Sequence, residues 1–462
     1  MSQNIATKFK GWLTKSPYAS KAFWVGGCLR DAQLGKIVTD WDMVVEEEGG
    51  AKGLAHWLHE NYPSEVSTPY LLGSRYPIWQ VIVENLEIQI ADTHQEKFPS
   101  PESRQREIFF APLLEDCKRR DFTMNMLYQN VSSGEFLDPS GCALEDISKL
   151  YLRCHPQSST YEILDSDPLR LIRLFRFAAL LKAKIDPELI ENIKKTKARL
   201  KILSAERVRD ELIKAAENGV LGELFDQFKK HQILEELFDE FLPMIGCGQD
   251  KIYHSEGDVW VHTLMVVANA RQSSLLQFAA LFHDIGKPST RSEHGERIKF
   301  LGHEVISEKL AQEFFMQWHF PQDFSKRVCQ LIRLHLRGGD VQNWKSLKPA
   351  RKFLRDSNPL TEELLQLIEA DSRASLGADG KARLEHIPIL REKIKEASAQ
   401  PISSKAILDG HEIMSLLKIK AGPELKKIQT SLIEAEDEHL SEFKEWNKEI
   451  ASQWLKKCYK TS

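Results

Sequence analysis

Two short runs decide how this chain is read: VGGCLRDAQLG at residues 25–35 and TDWDMVV at 39–45. The first begins as the apolar run AFWV (22–25) ends in a glycine pair, and CLRDAQLG has the composition of a short helix. The second is rich in β-branched and aromatic residues, as a strand requires. Asp40 and Asp42 stand one residue apart in it. On a strand, side chains alternate with period two, so both carboxylates share a face. Two carboxylates on one face repel unless cations lie between them, which suits a pair of Mg²⁺ ions activating a hydroxyl and neutralising pyrophosphate. Upstream, Gly26 and Gly27 let backbone N–H groups approach a phosphate, and Arg30 offers forked donors to a triphosphate.

Working outward, WQVIVENLEIQIAD (79–92) reads as two further strands joined at a turn. From about Glu145 the period becomes helical and stays so, through YEILDSDPLRLIRLFRFAALLKAKI, ELIENIKKTKARLKIL and AERVRDELIKAAEN. The leading segment reads as a short amphipathic helix rather than a secretory signal. HSEGD (254–258) and AQPISSK (399–405) read as boundaries. The chain has 462 residues, 42% apolar and 28% charged, which implies several packed units of a soluble protein. No run is apolar and long enough to cross a bilayer. Seven scattered cysteines without a C-x-x-C pair argue against a disulfide framework or cysteine zinc site and suit a reducing cytosol. With net charge −4, any RNA surface has to be a local patch; Lys194, Lys195, Lys197, Arg199 and Lys201 form one candidate.

The order GG-x-x-RD-x-x-LG…D-x-D resembles the polymerase-β-like nucleotidyltransferase superfamily, in the form found in class II tRNA nucleotidyltransferases and bacterial poly(A) polymerases. LEDCKRRDFTMN (114–125) is similar to the family's second motif, which implies nucleotide binding by Arg120 and ribose sensing near Asp121. SDPLRLIRLFRFAA (166–179) resembles the motif that chooses the incoming base. Asp167, Arg170, Arg173 and Arg176 recur every third residue there, a slowly drifting helical stripe. Asp accepts and Arg donates, so such a pair can mimic the edge of a template base. The resemblance implies Asp167 and Arg170 as that pair, and LSAERVRDEL (203–212) as the supporting neck. The chain departs from the family at Ser166, where Glu is frequent, and at Gln89, where a third carboxylate often stands; only Asp40 and Asp42 are therefore assigned to Mg²⁺. Gln95 to Pro112 resembles the mobile loop that helps switch from C to A addition.

A second constellation follows: His262, His283, Asp284, His303, His335 and Asp371. Imidazole and carboxylate suit divalent transition metals. The order H…HD…D resembles the HD phosphohydrolases, which implies His262, His283, Asp284 and Asp371 as core ligands of Mn, Ni, Co, Fe or Mg. His303 and His335 could complete a second position, and Lys287 could contact phosphate. ILDGHEIMSLLKIKAGPELKKI resembles the family's tail and carries no assigned chemistry.

The resulting expectation is an α+β protein. A polymerase-β-like mixed-sheet head (1–142) precedes an all-α neck and body (143–250), an HD domain (251–390) and a helical tail (391–462). The implied activity is CCA addition to tRNA from CTP and ATP, by a cytoplasmic monomer or homodimer with no membrane association. The HD domain would act as a phosphatase or 2′,3′-cyclic phosphodiesterase. Poly(A) addition, partial CC or A addition, and an RNA-binding HD phosphohydrolase remain the alternatives.

Overall fold

The computed structural model describes residues 2–38, 40–72, 77–97, 107–271, 273–295, 297–400, 402–403, 405–442 and 444–459. It divides into two compact units, Met1–Leu203 and Ser204–Ser462. The first opens with helix α1 (Ser2–Leu13), which buries Ile5, Phe9, Trp12 and Leu13. A seven-stranded mixed sheet follows, built from β1 (Ala22–Val25), β2 (Trp41–Val45), β3 (Tyr70–Leu72), β4 (Ile78–Val83), β5 (Leu86–Asp92), β8 (Tyr128–Asn130) and β9 (Phe136–Leu137). A separate hairpin pairs β6 (His94–Lys97) with β7 (Glu107–Phe110). The expected mobile loop is thus bounded by this hairpin, and its centre, 98–106, lies outside the described residues.

Strand order in the sheet is β3-β4-β5-β2-β1-β8-β9, with β2 and β5 parallel and the other pairs antiparallel. The β4–β5 turn is set by Glu84 and Asn85, both left-handed (φ 52° and 66°), the geometry that matches the twist of a two-residue hairpin. Helices α2 (Gly27–Gln33), α3 (Gly50–Asn61), α4 (Leu113–Lys118) and α5 (Ala143–Lys149) accompany the sheet. One face packs Phe23, Val25, Val44 and Tyr128 beneath Leu113 and Cys117 of α4. Trp24 and Trp41 meet edge to face at 4.7 Å, with Phe9 of α1 against Trp24.

The long helical run expected over 161–185 is two helices, α6 (Thr160–Ser166) and α7 (Leu169–Leu181). Pro168 disfavours helical backbone in the residue before it, and Asp167 is accordingly extended (φ −143°, ψ 93°).

The second unit is helical around a phenylalanine-rich core in which Phe241, Phe282 and Phe314 pack ring against ring. It is not helical throughout. Arg291–His294 pairs with Arg297–Phe300 as a hairpin, turning at Gly295 in the left-handed region (φ 65°). The first unit likewise holds a short parallel pair, Tyr151–Leu152 with Lys184–Ile185. Alternation in RSEHGERIKF is too brief to stand out beside long helical periods. At the C-terminal end, Leu408, Ile413, Leu417, Ile428, Leu432 and Leu455 build a small core of their own. No helix among the described residues is long and apolar enough to cross a membrane, and all seven cysteines are free thiols.

Candidate active site and metal centre

Asp42 is the second residue of β2 and is exposed between buried Trp41 and Met43; Asp40, two residues earlier, is exposed as well. The register sets Asp42 opposite Val25 on one side and Gln89 on the other. Gln89 therefore occupies the sheet position where a third carboxylate would complete the pair. Gly26 is left-handed (φ 82°), and a Cβ there would stand 3.8 Å from Asp42 Oδ2. The glycine turn and the carboxylate are thus in near contact, as the sequence pattern implied.

A cavity of about 290 Å³ opens beside Asp42, lined also by Gln89, His94, Glu96, Arg119 and Arg120. The two arginines are held by one buried carboxylate. Asp116 accepts from Arg119 Nη2 (2.6 Å), Arg120 Nη2 (2.9 Å) and Tyr128 Oη (2.8 Å). Burial pushes the Asp116 carboxyl up, but Arg120 and Arg119 outweigh it and hold the group well below the usual range. Arg120 answers in kind: burial lowers it, Asp116 and Tyr128 raise it further. Cationic donors are therefore fixed in the cavity that Asp42 lines, held by a buried carboxylate. Asp116 and Arg119 were missed by the sequence reading, although i, i+3 and i, i+4 spacing within LEDCKRRD is the signal that finds them.

Arg30 does not line this cavity. Its fork is engaged by Asp31 (Nε and Nη2, each 2.9 Å) and by Asn125 Oδ1 (Nη1, 2.8 Å). Asn125 Nδ2 donates to Asp121 Oδ1 (3.0 Å), and Asp121 Oδ2 pairs with Arg173 (2.7 Å). Burial opposes the Asp121 charge, but Arg173 and Asn125 keep its carboxyl well below the usual range. Arg30, Arg173 and Arg176 place their guanidinium carbons 4.9, 5.3 and 4.4 Å from the Phe177 ring centre. Of the predicted nucleotide-binding residues, Arg120 lines the cavity, whereas Arg30, Arg173 and Arg176 gather around Phe177, with Asp121 paired to Arg173.

Asp167 precedes α7 and accepts from Leu169 N–H (3.3 Å). Arg170 is buried and donates to Ile163 O (2.6 Å), Ser166 Oγ (2.9 Å) and Arg119 O (2.6 Å). Ser166, the departure from the family pattern, thus remains an acceptor for Arg170. Of the candidate basic patch, Lys195 pairs with Glu191 and Arg199 with Asp165.

In the second unit, His262, His283, Asp284, His303 and His335 are buried together, with Asp371 at 3.1 Å from His262 Nε2. His283 Nε2 and His303 Nε2 each stand 3.1 Å from Asp284, on opposite oxygens. Two three-residue groups share Asp284: His262 and His283 on one side, His303 and His335 on the other. His283, His303 and His335 each turn Nδ1 toward the carbonyl three residues earlier, all at 2.7 Å. That contact protonates Nδ1 and leaves Nε2 as the lone-pair donor, the arrangement of a metal-ligating histidine. His262 Nδ1 instead meets Glu256 Oε1 at 2.9 Å.

Nε2 of His262 and His283 and Oδ2 of Asp284 are buried without an aligned hydrogen bond. Converging buried imidazole and carboxylate atoms, paired with one another rather than with aligned hydrogen-bond partners, fit a divalent cation. Burial, together with His283, presses His335 down to about 3, so its imidazole is neutral. Burial lowers His262 too, but Asp371 and Glu256 raise it to about 9, a proton that a cation would displace. Lys287, expected as a phosphate contact, is buried and reaches Asp284 Oδ2 (2.7 Å) and Gln249 Oε1 (2.8 Å). Glu256 is not found from the sequence: HSEGD reads as a boundary, whereas its acid meets the imidazole of His262 six residues on.

Three family models match the chain: the Poly A polymerase head domain at 22–153, the "Probable RNA and SrmB- binding site of polymerase A" at 183–245, and the HD domain at 259–376. Among curated relatives, an A-adding tRNA nucleotidyltransferase of Deinococcus radiodurans is 25% identical over 91% of this chain and 92% of its own. A multifunctional CCA protein of Nitrosococcus oceani is 29% identical over 78% and 86%. A CC-adding tRNA nucleotidyltransferase of Thermus thermophilus is 27% identical over 90% of each. The CCA-adding enzyme of Bacillus stearothermophilus, solved in complex with CTP, shares the fold with a TM-score of 0.66 at 18% identity, covering 95% of this chain and 93% of that one.

Proposed function

We propose that the chain, which matches the Poly A polymerase head and HD family models and resembles tRNA nucleotidyltransferases along most of its length, belongs to their family and adds C, C and A to tRNA 3′ ends from CTP and ATP without a nucleic-acid template. The observation that carries this reading is the Asp42 cavity, where the exposed carboxylate of Asp42 shares the lining with Arg119 and Arg120, held by Asp116, and the Gly26 turn lies against Asp42. Mg²⁺ held by Asp40 and Asp42 would supply activation of the RNA 3′-hydroxyl and neutralisation of the leaving pyrophosphate. One of the two carboxylates takes the hydroxyl proton. Arg120, oriented by Asp116, meets the triphosphate, with Gly26 and Gly27 supplying backbone donors. Asp167 and Arg170 select the base; Arg30, Asp121, Arg173 and Arg176 support that selection from around Phe177.

In this reading residues 1–142 form the catalytic head, 143–250 the neck and body, 251–390 the HD domain and 391–462 the tail. The protein works in the cytoplasm on tRNA, as a monomer or homodimer. The HD ligands His262, His283, Asp284 and Asp371, with His303 and His335 at a second position, would hold Mn, Ni, Co, Fe or Mg, supplying an activated water for phosphoester hydrolysis.

A second reading, CC or A addition alone, is favoured by relatives of those names at 25% and 27% identity. Offering one nucleotide at a time separates them. With tRNA transcripts lacking the tail, CTP alone extends by two residues; with transcripts ending in CC, ATP alone extends by one. A protein that performs only one of these steps is a partial enzyme.

A further inference from the structure

We infer that Asn125 is a positioning residue whose amide ties the base-selecting helix α7 to the glycine turn of α2, so that base recognition and triphosphate placement move as one. This rests on the nucleotidyltransferase reading of the head. The connection is continuous and short. Arg173 on α7 pairs with Asp121, Asp121 accepts from Asn125, Asn125 accepts from Arg30, and Arg30 belongs to the helix that Gly26 begins beside Asp42.

Chemistry fixes the direction of the amide. Arg30 only donates and an ionised Asp121 only accepts, so Oδ1 must face Arg30 and Nδ2 must face Asp121. Both contacts are buried. No other residue type of this size offers an acceptor and a donor in that opposition; Asp loses the donor and sets a second negative charge against Asp121. Phe177 reinforces the tie, because it belongs to α7 and Arg30 of α2 lies over its ring. A shift of α7 against α2 would strain this relay of one ion pair and two hydrogen bonds and would break the Arg30–Phe177 ring contact. Such a connection responds as a unit rather than bond by bond.

The test uses the full chain and tRNA transcripts lacking the tail, measuring KM for CTP and the ratio of kcat/KM for CTP over UTP. The two pyrimidines differ at the base edge that α7 would read. Neither quantity depends on how much of a preparation is folded, so a merely structural defect leaves both unmoved. Asn125→Asp should raise KM for CTP roughly tenfold and lower the CTP/UTP ratio by a similar factor, the scale of one lost charge-assisted hydrogen bond. Phe177→Leu, which keeps the site apolar and filled, should move both in the same direction by about threefold, and it keeps the test alive should the first variant not fold. Unchanged KM and ratio in the folded variants overturn the inference. A wild type that incorporates no nucleotide overturns the nucleotidyltransferase reading itself, and this inference with it.

Discussion

The two candidate sites are built on opposite plans. At the head, the acids are exposed and the cations are half-buried and pre-paired: Asp40 and Asp42 face outward while the buried Asp116 locks Arg119 and Arg120. In the HD region the candidate ligands are themselves buried, and their imidazole rings are held by backbone carbonyls and Glu256. The difference is one of how metal is acquired. Exposed carboxylates suit a cation that arrives with a nucleotide triphosphate and leaves with pyrophosphate. A buried His/Asp set with converging Nε2 atoms suits a resident ion. Each contrast gives a way to break it.

The largest effect should come from removing a ligand at one site while reading both. Asp42→Ala should lower single-turnover CMP addition by about 10³-fold, the scale of several kcal/mol of transition-state stabilisation, and leave HD-site metal binding untouched. His283→Ala should do the reverse, abolishing metal retention through gel filtration while addition proceeds. If His283→Ala also stops addition, the sites are not independent. Next, Glu256→Gln should weaken HD metal affinity by about 10- to 100-fold in chelator competition, the usual effect of a partner that orients a ligating histidine. No change would mean that Glu256 does not orient His262.

The smallest effect is on stability. Asp116→Asn leaves Arg119 and Arg120 without their buried carboxylate and should cost about 3 kcal/mol near neutral pH. The Asp116 carboxyl is lowered in the folded chain, so its contribution is present above the unfolded value near 3.8 and lost as pH falls below it. The gap in thermal stability between wild type and variant should therefore begin to narrow as pH falls below about 4 and go on narrowing toward the lowered folded value. A gap that does not narrow with falling pH would assign the loss to packing.

Much of this was legible in the chain because the decisive signals are local. The strand read in TDWDMVV is β2, which carries Asp42 at an exposed position and leaves Asp40 just before its first residue, and β-rich runs gave β1, β4 and β5 their places. The HD constellation was legible for another reason: His-Asp beside Ile-Gly-Lys is a dense, unusual grouping. What escaped was set by contacts across long separations. Nothing local says that Arg30 meets Asn125 ninety-five residues away, so a buried, engaged arginine was read as a triphosphate donor. Glu256 hid in a polar stretch with the look of a linker, because its partner is a helical histidine whose orientation only the fold defines. The break between α6 and α7 was within reach, since Pro168 announces it.

The central claim is that the head builds a defined three-nucleotide tail. Its most direct measurement is the stoichiometry of pyrophosphate released when wild-type protein, Mg²⁺, CTP and ATP act on a tRNA transcript lacking CCA. The account predicts a plateau at three pyrophosphates per tRNA, two dependent on CTP and one on ATP. Release that continues with ATP alone, or no release at all, would contradict it.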